Sequence, residues 1–426
     1  MLPRCTAPAS SVATNAKCER CLVSLTRSPR VPSLFLTNDR FDSLQSGSGP
    51  SALVIIQTED EGFMRRLLIA AGLLTVALHA PGIADDRGGD EKITVAVFGD
   101  WPYSQVLLSN AALLTKSINS DPDVSLVIHV GDIHSGSMAC TSAGIVPPIP
   151  TSNPGWNQSI YFQFQQFRFP VVYTPGDNEW TDCHKTKQFK SGDPLKELSS
   201  VRSLFFARPG KTLGGRSREV WTQAKYFNPA FPADAQFVEN VMWQDGRTVF
   251  VTLNFPGSNN DTAPWTNGFE NPEAQAQEVA ERTAADIRWL QAAFKHADET
   301  HAKAVVIATQ ADMWDPAAVA PGGDGLSAYT PFVQELATLS LQFRKPVLLF
   351  NGDSHLFEAD HPLADSSSAT GVIHHTPSVP NLTRITVQGS TNAPAEWLRL
   401  TIDTRKPGVF SWTNVPYCSN PTTSCP

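Results

Sequence analysis

Short apolar runs recur along the chain, and a polar, acidic segment follows each of them. The runs are rich in β-branched or bulky residues, as strands buried on both faces of a sheet are. They cover residues 93–98, 124–130, 169–173 and 346–350. The segments that follow them contain the sequences FGDWPYS, HVGDIHSG, TPGDNEW and NGDSHLFE. The pattern therefore predicts four buried strands, each of which ends in an aspartate at the edge of a sheet.

Other segments show the spacing of helices or of further strands. Apolar residues at helical spacing follow the first motif, and longer helices are predicted over residues 272–296 and around 332–343. Further strands are predicted over 238–243, 248–254, 304–308, 384–388, 396–403 and 408–415. The first two of these are joined across Asp245-Gly246, which is typical of a hairpin. A single α/β domain with two sheets is the simplest architecture.

The N-terminal part of the chain has a different composition. Residues 64–84 combine a basic start, an apolar run and a small-residue end at Ala84, which is the pattern of a secretory signal peptide. We therefore expect translation to begin at Met64, with residues 1–63 a non-native or disordered extension and 85–426 the mature domain. The alternative is an internal hydrophobic helix that anchors a genuine extension. The apolar run is short for a membrane span, so we expect no stable membrane anchor after cleavage.

Charge disfavours one class of partner. The formal net charge is −8, and the first 84 residues hold eight basic and six acidic residues, so the mature domain would carry −10. It has no basic tract. Because nucleic-acid binding depends on Lys and Arg that neutralise phosphates, no nucleic-acid partner is expected.

Four cysteines remain in the predicted mature domain. An even number in an exported chain indicates two disulfides, for which three pairings exist. We favour Cys140–Cys183 and Cys418–Cys425, because the first two cysteines follow motifs at the same predicted sheet edge. Zinc binding is disfavoured, since the predicted mature domain has no CxxC or paired Cys/His spacing. These features predict a periplasmic or secreted protein.

The four strand-end aspartates are the main candidates for chemistry. Asp100, Asp132, Asp177 and Asp353 would converge at the carboxyl ends of their strands, where open α/β sheets bind ligands. Carboxylates that converge repel one another unless they are protonated or neutralised by cations. Each aspartate alone could be a turn or helix-cap residue. Their recurrence behind successive buried strands instead favours a divalent metal centre.

The order of these motifs resembles that of the calcineurin-like metallophosphoesterases, whose pattern is DxH, GDxxD, GNH(D/E), H and GHxH. The resemblance covers about residues 93–415. Asp100 and Asp132 match the first and the metal-bridging aspartate, while Glu179 and His355 match the ends of the third and last motifs. The resemblance implies two mixed β-sheets flanked by helices in a four-layer sandwich. It also implies metal-dependent hydrolysis of a small phosphoester substrate.

Several positions depart from the family pattern. Pro102 stands in place of the histidine of DxH, and Gln310 stands where a lone histidine is expected. Asp177 and Asn178 replace the asparagine and histidine of GNHE, and Asp353 replaces the first histidine of GHxH. Oxygen donors therefore outnumber imidazoles among the candidate ligands. These ligands are Asp100, Asp132, Asp177, Gln310, Asp353 and His355.

This ligand set changes the expected cofactor. Carboxylate and amide oxygens suit magnesium, manganese or calcium, whereas imidazole suits zinc or iron. We therefore expect one or two divalent ions of the harder kind. Because four carboxylates cancel the charge of two such ions, phosphate binding is expected to be weak.

Asn178 occupies the position of a histidine that is thought to assist proton transfer in the family. An amide can donate a hydrogen bond but no proton at neutral pH. His134 and His184 are the nearest replacements in sequence, and each could equally be structural. We interpret the pair His374-His375 as an exposed loop.

Two functions of different classes follow from these observations. The first is an exported phosphatase or phosphodiesterase that uses a metal-activated water. The second is a non-catalytic member of the same fold that binds a metal or a ligand.

Overall fold

The computed structural model of the chain describes residues 92–140 and 155–425. The predicted signal peptide and the extension before it lie outside these residues. Within the described ranges, no helix combines the length and the apolar character that a membrane crossing needs.

Twelve strands are present in the described residues. They are β1 (Ile93–Phe98), β2 (Val124–His129), β3 (Val171–Tyr173), β4 (Trp221–Thr222), β5 (Val241–Asp245), β6 (Thr248–Thr252), β7 (Ala304–Ala308), β8 (Val347–Asn351), β9 (Glu358–Asp360), β10 (Leu382–Thr386), β11 (Ala395–Ile402) and β12 (Phe410–Cys418). One sheet has the order β12-β11-β1-β2-β3, and the other has the order β4-β5-β6-β7-β8-β10-β9. Both sheets are mixed, because β1, β2 and β3 are parallel, as are β6, β7, β8 and β10, while the outer strands are antiparallel.

The α-helical segments lie mostly between the strands. They are α1 (Gln105–Ser109), α2 (Ala111–Ser120), α3 (Trp156–Gln166), α4 (Pro194–Phe205), α5 (Gln223–Tyr226), α6 (Gly257–Asp261), α7 (Pro272–Glu299) and α8 (Thr330–Phe343). Short 3-10 segments cover Thr181–His184, Thr186–Gln188, Pro232–Gln236 and Ser327–Tyr329. Several helices have a side-chain cap; α7, for example, begins after Asn271, whose side chain accepts a hydrogen bond from the backbone N–H of Ala274.

Buried apolar residues show how the layers pack. The inner faces of the two sheets share one core, to which β2 contributes Ile128 and β8 contributes Leu348. On the outer face of the five-stranded sheet, Leu114 of α2 and Phe164 of α3 are buried. Leu336 of α8 is buried on the outer face of the other sheet, together with residues of α7. The chain is thus an α/β sandwich of two mixed sheets flanked by helices, as predicted.

Both predicted disulfides are present. Cys140 pairs with Cys183, and Cys418 pairs with Cys425. The Cys140–Cys183 bond joins the loop after β2 to the 3-10 segment after β3. It therefore links two of the loops that carry the acidic motifs.

One sequence interpretation was wrong. His374 is buried rather than exposed, and its Nε2 lies 2.7 Å from the backbone oxygen of Met313. Its Nδ1 lies 3.0 Å from Oγ1 of Thr330 at the start of α8. His374 therefore joins a loop to a helix, and only its neighbour His375 is exposed.

Candidate metal centre

Three predicted ligands meet at one edge of the sandwich. Asp100 follows β1 and Asp132 follows β2, its parallel neighbour, while His355 follows β8 in the other sheet. One ligand atom from each of these three side chains lies within 4.8 Å of the other two. The backbone N–H of Asp353 donates to Oδ1 of Asp100 over 3.1 Å and so connects the two sheets at this point.

The backbone at these positions is unusual. Asp100, Asp132, Asp353 and His355 have φ angles of 47°, 60°, 71° and 63°, in the left-handed region that L-residues rarely adopt. Each such residue costs on the order of 1–3 kcal/mol, and such strain clusters at functional sites. All four lie in turns directly after strands.

Asp100 has an oxygen that suits a cation. Its Oδ2 is buried and has no hydrogen-bond partner among the described residues. A Cβ atom at Gly352 would lie 2.5 Å from this oxygen, so only glycine allows the chain after β8 to approach it. A buried carboxylate oxygen without a partner is unfavourable. The three side chains therefore fit a metal ion.

Tyr103 is the residue of this centre that the sequence analysis missed. Its hydroxyl oxygen lies 2.7 Å from Oδ2 of Asp132, and 3.2 Å from both Oδ1 of Asp100 and Nε2 of His355. Burial, followed by the charges of Asp132 and Asp100, raises the pKa of Tyr103 well above its usual value. The hydroxyl is therefore a neutral hydrogen-bond donor. The one feature of the sequence that could have indicated Tyr103 is its position three residues after Asp100. That position matches no residue of the family pattern.

The other three predicted ligands form an adjoining group. Nε2 of Gln310 donates to Oδ1 of Asp177 over 3.2 Å, and its Oε1 accepts from the N–H of Gly257 over 2.5 Å. A Cβ atom at Gly257 would lie 2.8 Å from Oδ2 of Asp177 and 2.8 Å from Oδ1 of Asp353. The absence of a side chain at this position lets the two carboxylates approach the same backbone segment. All six predicted ligands thus lie at one edge of the sandwich.

Burial and neighbouring negative charges destabilise the ionised form of the carboxylates in both groups. Burial raises the pKa of Asp132 well above its usual value, and the charges of Asp177 and Glu179 add to this effect. Burial also raises the pKa of Asp353, with Asp177 and Asp100 as the next causes. The pKa of Asp177 is raised as well, by burial and then by Asp182. A bound cation would supply the positive charge that keeps these groups ionised.

Asn178 and Glu179 act on the centre through Asp132. Asn178 donates from Nδ2 to Oδ2 of Asp132 over 2.7 Å and from its backbone N–H to Oδ1 over 3.2 Å. Its own Oδ1 accepts from Gln188 over 3.0 Å, which fixes the orientation of the amide. Oε1 of Glu179 accepts from the backbone N–H groups of Asp132 and Gly176. Both residues therefore position Asp132.

The structure gives little support to the two candidate histidines. Burial lowers the pKa of His134 to about 4, so this imidazole is neutral at pH 7, and its Nδ1 lies 3.2 Å from the backbone oxygen of Ser135. Burial also lowers the pKa of His184, whose Nδ1 accepts from the N–H of Thr266 over 3.0 Å. Among the described residues, neither histidine has a hydrogen bond to the carboxylates of the centre.

A cavity of about 240 Å³ lies beside the second group. Asp177 and Asp353 line it on one side, and Lys187 and Ser258 line it as well. Ser258 is the first of four consecutive residues, 258–261, whose φ angles of 51–63° are all left-handed. Its Oγ lies 3.1 Å from Oδ2 of Asp177. This strained turn places a hydroxyl against a carboxylate at the wall of the cavity.

Comparisons with known proteins do not identify a family. No protein-family model matches the chain, and no curated protein matches it. One similar solved structure is that of GAP50, the anchor in the inner membrane complex of Plasmodium, with 10% identity, a TM-score of 0.37, and coverage of 77% of this chain and 90% of that one. Another is TT1561 of Thermus thermophilus, with 9% identity, a TM-score of 0.32, and coverage of 76% and 99%. Similarities of this size support no conclusion about fold family or function.

Proposed function

We propose that the chain is an exported, metal-dependent phosphoester hydrolase of the calcineurin-like type. The observation that carries the proposal is the convergence of Asp100, Asp132 and His355 around the buried, unpartnered Oδ2 of Asp100. A divalent metal held there would lower the pKa of a water molecule and stabilise negative charge on phosphoryl oxygens. The side chain of His355 is 34% exposed, so this side of the centre is open to solvent and substrate.

The adjoining group suits a second divalent ion. Its candidate ligand atoms are all carboxylate or amide oxygens, from Asp177, Asp353 and Gln310. Such ligands favour manganese, magnesium or calcium over zinc. Oε1 of Gln310 already accepts a hydrogen bond from Gly257, so only its second lone pair is left for such an ion. The carboxylates are therefore the stronger ligands of this group.

The cavity limits the substrate. Its volume of about 240 Å³ lies below the usual 300–1,000 Å³ of small-molecule sites, so we propose a small phosphoester. Among the described residues that line this cavity, Lys187 is the one cation, and its side chain is 57% exposed. Its Nζ lies 3.4 Å from Oδ2 of Asp182, outside the lining set, and it is the one positive charge for a phosphate oxygen in a wall whose other charged residues are acidic.

The roles of the chain's own residues follow from their contacts. Asn178 holds Asp132 and contributes no proton, while the Tyr103 hydroxyl donates a hydrogen bond within the centre. Without an acid for the leaving group, esters whose leaving group needs no proton should react fastest. Activated aryl phosphates meet this condition.

Export is proposed on separate grounds. Two disulfides fit an oxidising compartment, such as the periplasm or the extracellular space. Together with the signal-like residues 64–84, they support secretion of a mature domain.

One observation favours a second function, that of a metal- or ligand-binding module without catalysis. Asn178 occupies the position of the histidine that is thought to assist proton transfer in the resembled family. Its side-chain amide is hydrogen-bonded to both Asp132 and Gln188. The acidic wall of the cavity would also weaken phosphate binding. A protein that only holds a cation would need neither an acid nor a phosphate site.

Turnover by the mature protein tests the proposal. We expect slow hydrolysis of aryl phosphate mono- or diesters that depends on added Mn²⁺, Mg²⁺ or Ca²⁺ and is lost in Asp132→Asn. Asp193→Asn removes a surface carboxylate that caps α4 and should leave the rate unchanged. If wild type binds these metals and stays folded but hydrolyses no ester of either kind, the protein is a binding module.

A further inference from the structure

A second and larger cavity lies at the opposite end of the strands. Its volume is about 450 Å³, and Ile93, at the start of β1, and Val124, at the start of β2, both line it. Gly246, in the turn between β5 and β6, lines it from the other sheet. β1 has six residues, so this cavity is roughly 20 Å from the metal centre at the other end of that strand. A cavity of this size is typical of small-molecule sites.

Basic side chains dominate the wall of this cavity. Four of the lining residues are cationic and two are acidic, although the whole chain carries a net charge of −8. The cationic residues are Lys92, Arg168, Arg216 and Arg218. Of the two acids, Asp123 is paired with Arg399 at 2.7 Å, outside the lining set, and more distantly with Lys92 at 4.0 Å, within it. The local charge is therefore opposite in sign to that of the protein as a whole.

Arg218 has unused hydrogen-bond donors. Its Nη1 lies 3.5 Å from Oδ2 of Asp245, and its guanidinium stacks over the ring of Trp243 at 5.7 Å. Its Nε and Nη2 atoms are buried and have no partner among the described residues. A buried donor left without an acceptor costs stability, so these atoms indicate a place for an acceptor that the chain itself does not supply.

The other two arginines are also available. Arg168 stacks on the ring of Phe169, with its Cζ 4.6 Å from the ring centre, which holds the guanidinium plane in one orientation. Within the described part of the chain, neither Arg168 nor Arg216 forms an ion pair. Three guanidinium groups around one cavity thus retain free N–H donors.

We propose that this cavity binds a small phosphorylated polyanion. Planar guanidinium groups bind phosphate oxygens through paired hydrogen bonds, and several of them around one cavity favour a ligand with more than one phosphoryl group. The volume exceeds what a single orthophosphate fills. The site is separate from the metal centre and goes beyond the proposed hydrolase activity.

Tripolyphosphate is a suitable probe. The mature protein should be free of metal, because a metal bound at the other site could also attract phosphate. Isothermal titration calorimetry should show saturable binding of one tripolyphosphate per chain, weakened by added salt. Arg168→Gln and Arg216→Gln should each raise Kd about tenfold, as expected for loss of a charge-assisted hydrogen bond. Both side chains are on the surface, so both variants should fold.

Two controls locate the binding. Arg208→Gln removes an exposed arginine outside this cavity and should leave Kd unchanged, as should Asp132→Asn at the metal centre. The proposal is overturned if tripolyphosphate does not bind, or if the double variant Arg168→Gln/Arg216→Gln binds it as well as wild type does. Equal affinity for sulfate and tripolyphosphate would also overturn it, because a polyphosphate site should prefer the larger anion.

Discussion

The hydroxyl oxygen of Tyr103 lies 2.7 Å from Oδ2 of Asp132, the aspartate that matches the metal-bridging position of the resembled family. The same hydroxyl is within 3.2 Å of Oδ1 of Asp100 and of Nε2 of His355. Donor atoms separated by about 3 Å are what neighbouring ligands of one small ion require. Tyr103 is therefore placed either to orient these ligands through hydrogen bonds or to bind the same ion as a further ligand.

Replacing this hydroxyl should weaken metal binding. Tyr103→Phe removes a hydrogen bond that orients Asp132, and losses of this kind reduce metal affinity about 10–100-fold. Titration of the mature protein with Mn²⁺ should show this loss as a higher Kd. Tyr329→Phe is the matched control, because its buried hydroxyl donates to the backbone oxygen of Pro256 and does not touch the three ligands. If Tyr103→Phe binds Mn²⁺ as tightly as wild type and Tyr329→Phe do, the Tyr103 hydroxyl does not contribute to metal binding.

Metal should stabilise the folded protein through Asp132. Binding to the native state alone raises stability by about 2.7 kcal/mol at a metal concentration of 100 times Kd. Mn²⁺ should therefore raise Tm in wild type and in Asp193→Asn. In Asp132→Asn, thermal scans with and without Mn²⁺ should coincide. An undiminished response in Asp132→Asn would show that Asp132 is only a turn residue.

Reversing two departures from the family pattern should increase activity. Asp353→His removes a negative charge next to Asp177, and Asn178→His restores a group that can transfer a proton. Hydrolysis of an aryl phosphate by the double variant should rise on the order of tenfold or more. Asn178→Gln, which changes the same position but keeps an amide that has no proton to transfer at neutral pH, serves as the control. Inactivity of wild type and double variant, both folded and metal-loaded, would contradict the hydrolase proposal.

Acid should destabilise the protein through His129. Burial lowers the pKa of this imidazole to about 4, whereas an unfolded chain has its ordinary value of 6.5. The unfolded state therefore binds more protons between these two values, and stability falls as the pH falls through 6.5 and levels off near 4. The loss attributable to His129 should reach about 2 kcal/mol at pH 5.

Urea unfolding at pH 7.5 and pH 5 measures this effect. His129→Gln keeps a hydrogen-bonding side chain near the backbone oxygen of Trp101 but has no proton to gain. The variant should lose about 2 kcal/mol less than wild type between the two pH values. An identical loss in both proteins would mean that other groups set the acid response, such as His134, whose pKa burial also lowers to about 4. The buried carboxylates of the centre cannot cause this loss, because their raised pKa values stabilise the folded state as the pH falls.

The two disulfides should differ in their contribution to stability. Cys140–Cys183 closes a loop with a sequence separation of 43, and Cys418–Cys425 closes one of only 7. The loss of chain entropy predicts about 4 kcal/mol for the first bond and about 2.5 kcal/mol for the second. Urea unfolding of the paired Cys→Ser variants tests this order. Non-reducing peptide mapping of wild type should recover both bonds, and free thiols would refute them.

The sequence predicted the core strands well because their apolar runs are uninterrupted. The strands at Ile93–Phe98 and Ala304–Ala308 begin and end where they were predicted. Helix α4 was missed although it has a clear start, with Pro194 in its first turn and the side chain of Asp193 accepting from the N–H of Lys196. Its buried apolar residues Leu198, Val201 and Phe205 also recur at helical spacing, so the sequence carried the signal for this helix and the prediction overlooked it. Strand β9 has only three residues and pairs at an edge, which leaves no pattern to read.

For the candidate site, the sequence named all six residues at the sheet edge but not the distances between them. Strand ends place side chains at an edge, yet the distance between Asp100 and His355 depends on how two separate sheets pack. Tyr103 was missed for the same reason, since its contacts with Asp132 and His355 span 29 and 252 positions. The exposure of His374 was predicted wrongly, because no local sequence pattern distinguishes a buried imidazole from an exposed one.

The hydrogen bond between the Asp353 N–H and Asp100 Oδ1 has a consequence for the order of events during biosynthesis. It joins positions 253 residues apart, and His355 lies only two residues further on. A nascent chain that has emerged only as far as β7 therefore lacks a complete ligand set, however well its first sheet has formed. A metal bound at the proposed centre would therefore enter late, after strand β8 has joined its sheet and the two sheets have docked. If the protein is exported, as proposed, that ion would be selected in the compartment in which the chain completes its folding, and not in the one in which it is synthesised.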